Sequence, residues 1–134
     1  MGTQQLLLII IGVILVGIMV TIGIFMFKDQ SAATNRDAIS NDLVSLAAQA
    51  QKYYRRPGVL GGGSNSFGGL TMVKLTNNPT NVDGTFVLTP DPAPSGTRSV
   101  SVIGTGTETG NDGATPVAMT MTVWADSLII VSNN

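Results

Sequence analysis

A chain with no histidine and no cysteine lacks the commonest general base, the commonest transition-metal ligand and any thiolate. No Ser/His/Asp or Cys/His set can be built from it, and no disulfide can staple it. Oxygen-bearing side chains occur together in two turn-rich stretches. Glu108, Asn111 and Asp112 share the loop TETGNDGAT, and Asn77, Asn78 and Asp83 share another. Oxygen ligands on a turn suit Ca²⁺, but the spacing misses an EF-hand, and Asn, Asp and Gly are ordinary turn residues. The stretch GVLGGGSNSFGG lacks the P-loop lysine and a preceding strand, so its glycines are read as turn-formers. Tyr53 and Tyr54 read as packing residues rather than an electron relay, since only seven aromatics occur in the whole chain. The expectation is a protein that is not an enzyme and carries no metal or cofactor. A net charge of −1 gives no electrostatic argument for nucleic acid.

The elements that carry these residues divide the chain. Leu6 to Phe27 form a charge-free apolar run, long enough to cross a bilayer of ~30 Å as a helix. Three readings compete: a cleaved secretory signal, a single-span anchor and the core helix of a filament. A signal needs a basic start and a shorter apolar stretch, and no Lys or Arg precedes this run. Gly12, Gly17 and Gly23 favour the filament core, because small residues let apolar helices approach closely. None of these pairs makes a strict GxxxG, so a simple tight dimer is not expected. Gln4 and Gln5 precede the run; in a dry core their amides need partners, at a neighbour's N-terminus or on the open N–H groups of the helix start.

The helical pattern continues past Phe27. Ile39, Leu43, Leu46, Ala50 and Tyr53 recur at spacings that make one narrow apolar stripe, with Asn35, Arg36, Asp37 and other polar residues between them. Pro57-Gly58 ends it. A helix over 3–56 would be ~80 Å long. The residues after it are too few to bury such a rod, so half of it must meet lipid or other copies of itself. The predicted segments are 1–28, an apolar span or filament core; 29–56, an amphipathic stalk; 57–70, a glycine-rich loop without regular structure; and 71–134, a sheet.

Five runs in the sheet region read as strands: 71–75, 85–89, 98–104, 117–125 and 128–132. Val117, Met119, Met121 and Val123 alternate cleanly with Ala118, Thr120, Thr122 and Trp124. Short connections imply an antiparallel sheet, one face of which packs on the stripe. The fold class is therefore α+β, a long two-part helix on a small antiparallel sheet. Residues 1–56 carry five cations against three aspartates, and residues 57–134 two cations against five acids. A basic stalk and an acidic head invite head-to-stalk stacking between copies.

The apolar start, its uninterrupted amphipathic continuation, the tail AAQAQKYYRRPG and the short sheet resemble the type IV pilin and pseudopilin superfamily. The resemblance covers the whole chain in architecture and residues 1–58 in sequence pattern. It implies a structural subunit held in the inner membrane, extracted by a pilus assembly machinery and stacked into an extracellular homopolymer with the apolar halves in its core. A pseudopilin of a secretion system implies the same fold in a shorter fibre. The alternative outside the superfamily is a single-span protein with a small ligand-binding β-domain. Family members usually carry a glutamate five residues into the mature chain; counted from Met1 that place holds Gln5, and counted from a cut after Gly2 it holds Leu7. They also carry a basic leader ending in glycine, of which Met-Gly would be a remnant unless numbering starts at the mature chain. Many bacterial members have a proline in the span, and this chain has none there. Archaeal members commonly lack so long a polar half, and the bacterial type is the nearer match.

Overall fold

With no proline before Pro57, nothing in the first half of the chain stops a helix, and the alanines at 32, 33, 38, 47, 48 and 50 favour it. In the computed structural model, which describes residues 2–134, α1 runs over Gly2–Arg55. Lys52 and Arg55 occupy its last turn, where cations face the negative end of the helix dipole. Met1, the first residue of the expected segment 1–28, lies outside the described residues. The chain divides into two compact units between Ser31 and Ala32.

The first unit is helix alone. Its large apolar side chains are all exposed, from Ile11 at 45% to Phe27 at 74%. The helix is long and apolar enough to cross a membrane.

The second unit starts at Ala32 and holds the remainder of α1 and everything after it. Four strands follow: β1 (Gly84–Thr89), β2 (Ser99–Thr109), β3 (Pro116–Trp124) and β4 (Leu128–Ser132). They form one sheet in the order β1-β2-β3-β4, every pair antiparallel. Hairpins need only short links, and the chain supplies no crossover. Alternation decides the faces: Phe86, Leu88, Val100, Val102, Val117, Met119, Met121 and Val123 point inward and are buried. The core is completed by Ile39, Leu43, Leu46, Ala47 and Ala50 from α1 and by Phe67, Leu70, Met72 and Leu75 from the connection. The fold is α+β, a long N-terminal helix whose second part packs on a four-stranded antiparallel sheet.

Two expectations are corrected. Residues 71–75 are not a strand: Met72–Leu75 form a helical turn, α2. Met72 and Leu75, three apart, are both buried, whereas strand alternation would have paired Met72 with exposed Lys74. The Asp91 carboxylate accepts a hydrogen bond from the Met72 N–H at 3.3 Å and holds the start of the turn. The loop 57–70 is not wholly irregular either. Gly58–Leu60 make a 3-10 turn ended by Gly61 at φ 77°, a left-handed conformation that suits glycine.

Candidate assembly surface

Each residue singled out for assembly lies on the first unit. Gln4 and Gln5 are exposed in the first turn of α1. Gly12, Gly17 and Gly23 are exposed, and a Cβ built on any of them would meet nothing within 4 Å. They therefore answer no packing need inside the subunit, and each weakens its helix by roughly 1 kcal/mol relative to alanine. Thr21, the one hydroxyl within the run, donates to the Gly17 carbonyl at 2.9 Å. From Leu6 to Phe27 the surface is thus hydrocarbon with no free polar side chain.

The second unit anchors its part of α1 through the stripe. Ile39, Leu43 and Ala50 have no exposed surface, and Leu46 is also buried. Tyr53 is half-buried, and its hydroxyl donates to the Gly68 carbonyl at 2.8 Å. Tyr54 lies against Phe67 with ring centroids 4.9 Å apart. The stripe is wider than its spacing implies, because Ala32, Asn35 and Ala47 are buried with it.

Asn35 is the residue that reading by polarity misses. Its type and position suit a solvated face, yet it is only 7% exposed. Its amide donates to the Asp83 carbonyl at 2.9 Å, and its oxygen accepts from the Glu108 N–H at 3.4 Å. The sheet makes room for it. A Cβ on Gly106 would overlap the Asn35 oxygen, and a Cβ on Gly104 would lie 2.7 Å from Ile39 Cγ2. The alternating glycines of β2 are the only sequence signal, since glycine inside a strand marks a close approach.

Beside Asn35, Arg36 donates through Nη2 to the Asn134 carbonyl at 2.8 Å, while its Nε is buried without a partner. Asn134 in turn donates to Thr115 Oγ1 and the Pro116 carbonyl, and accepts from the Ala118 N–H. At the other end of the unit, Gln51 and Arg55 donate to the carbonyls of Trp124, Ser127 and Ala125 at 3.3–3.4 Å. The sheet is thus tied to both ends of its helix. Of the two turn-rich stretches considered for oxygen ligands, the one before β1 is tied to α1, where Asp42 accepts from the Asn81 amide, and the one around Asp112 bonds within itself. Asp112 accepts from the Thr115 hydroxyl and from the Ala114 and Thr115 N–H groups, which in that order hold its carboxyl below the usual carboxylate range.

No family model, curated protein or solved structure matches this chain.

Proposed function

We propose that this protein is the structural subunit of an extracellular pilus-like filament. It is held in the inner membrane by the first unit of α1, then transferred by an assembly machinery into a homopolymer whose core is that same apolar segment. One observation carries the reading. A run of 22 residues, Leu6 to Phe27, exposes hydrocarbon on every side, and its three glycines serve no contact within the subunit. Apolar helices with small residues pack on one another, and an unbroken helix links the run to the unit that would form the outer surface. No catalytic step is proposed.

A second reading, a single-span membrane protein displaying the second unit, is favoured by the same length and apolarity. A pseudopilin would share the subunit and differ in fibre length. Negative-stain microscopy of sheared cell surfaces, with antibody against the second unit, separates the three. Long labelled fibres support the proposal, short fibres only on overexpression favour the pseudopilin, and label retained in membranes overturns polymerisation.

A further inference from the structure

The second unit sorts its charges by end, and the sorting is not the stalk-against-head division that the sequence invites. At one end, Lys52 and Arg55 in the last turn of α1, Arg56 just after it and Lys74 of α2 line two clefts. An open cleft of about 480 Å³ is lined by Ala48, Gln51, Lys52, Arg55 and Arg56. A second of about 200 Å³ is lined by Gln49, Lys52, Tyr53, Arg56, Gly61 and Lys74. Lys74 lies 5.2 Å from the centre of the Tyr53 ring. The side-chain bonds of these cations go to backbone, Arg55 to the Ala125 carbonyl and Lys74 to the Gly69 carbonyl, and among the described residues no carboxylate pairs with any of the four. Asp126, in the turn whose Ala125 and Ser127 carbonyls take the Arg55 and Gln51 bonds, and Asp91, whose carboxylate accepts from the Met72 N–H, oppose them in sign.

At the far end, Asn35 draws the backbones of Asp83 and Glu108 to one side chain. Glu108 is exposed, and the nearby cation Arg36 is turned to the Asn134 carbonyl. Between Asn35 and Arg56 the helix rises ~30 Å, several screening lengths at physiological salt. The two ends therefore cannot neutralise each other within one copy.

We propose that the basic clefts receive the acidic end of a second copy, so that Glu108 and Asp83 of one subunit face Lys52, Arg55, Arg56 and Lys74 of the next. The two patches differ, so the contact is head-to-tail, and a head-to-tail contact that does not close into a ring propagates as an open fibre. The inference deepens the polymer reading and rests on it for its setting. It adds a contact between the second units that selects one relative placement by charge, which an apolar helix cannot do. Opposed charges steer association and fix register more than they add affinity.

The chain has no cysteine, so introduced thiols report alone. Thr107→Cys marks the acidic end and Ala48→Cys the basic cleft; both positions are exposed. The two full-length variants are co-expressed, and their membranes are treated with a short bis-maleimide. The expected result is a mixed link, joining the thiol introduced at Thr107 of one copy to the thiol introduced at Ala48 of another, that exceeds either like-with-like link about tenfold. It should be largely lost between about 0.1 M and about 1 M salt, as the screening length falls from about 10 Å to about 3 Å. Glu108→Lys on the first variant, or Arg56→Glu on the second, should each weaken it, and the two together should restore it. No mixed link, a link equal in all pairings, or a swap that fails to restore it overturns the inference. The polymer reading is scored separately by microscopy of the same cells. Fibres without the mixed link retire the contact alone; the mixed link without fibres retires the polymer alone.

Discussion

Asn35 shows how much one amide holds. Its two bonds join the helix to the turn before β1 and to the outer part of β2, and Gly106 stands opposite it where any Cβ would collide. Asn35→Leu should destabilise the second unit by about 1–3 kcal/mol, since the Asp83 carbonyl and Glu108 N–H lose their partner in a confined site. Denaturation of the detergent-solubilised chain, followed through its single tryptophan, Trp124, measures this. An unchanged midpoint would show that water replaces the amide at no cost. Asp112 offers a pH test. Its carboxyl is held below the usual range by the Thr115 hydroxyl first and the Ala114 and Thr115 N–H groups next. A lowered folded value means that the turn is fully supported above the ordinary carboxylate range and loosens as pH falls through the folded value. The Ala114 and Thr115 amide signals should therefore titrate below a normal aspartate, and Thr115→Val should move that midpoint upward. Of these residues, Asp112 is legible in the sequence as a turn residue. Asn35 is not, because a polar type between stripe positions is indistinguishable from a solvated one until the glycines facing it are known.

At the scale of elements, period is the informative signal. The stripe of α1 and the alternation of β3 each repeat over enough residues to select one geometry, and both are present. The run 71–75 is too short for that. A single turn of helix and a short strand bury different partners, and only the Asp91 contact and the burial of both Met72 and Leu75 decide between them. The boundaries move for local reasons: β2 continues to Thr109 because Gly104 and Gly106 let it pass close beneath α1, beyond the apolar residues that define it in the sequence. The stripe itself is testable. Leu43 has no exposed surface, and Leu43→Ala should cost roughly 2–5 kcal/mol through lost burial and a residual cavity. A smaller loss, by the same tryptophan-detected denaturation, would mean that helix and sheet collapse onto the gap.

For the molecule as a whole, the two units present different surfaces, and the decisive experiments concern the first. Gly17→Arg places an unpaired cation in the middle of the charge-free run. If that run forms a polymer core, fibres should be abolished, because burying such a charge costs several kcal/mol. Fibres at normal yield would place the segment outside the core. Gln5 tests the start of the helix. With an amide partner across subunits, Gln5→Leu should lower fibre yield at equal membrane level, and Gln5→Glu should keep or raise it; normal yield from Gln5→Leu would remove this position from assembly. The grouping of charge at the two ends of the second unit is not legible in the sequence. Lys74 and Arg56, or Asp83 and Glu108, are far apart along the chain and are brought to one cleft or one side chain only once the helix lies across the sheet.

Thr21 satisfies its hydroxyl within its own helix, and with that bond the run from Leu6 to Phe27 has nothing left to grip with. Two such surfaces sliding past one another break no hydrogen bond and separate no ion pair; they exchange one hydrocarbon contact for the next. In a bundle of them, slip along the axis would cost only the repacking of interlocked hydrocarbon ridges. Under tension a fibre built on this segment would lengthen by slip before any subunit unfolded, and its rest length would be remembered by whatever polar contacts lie outside the run.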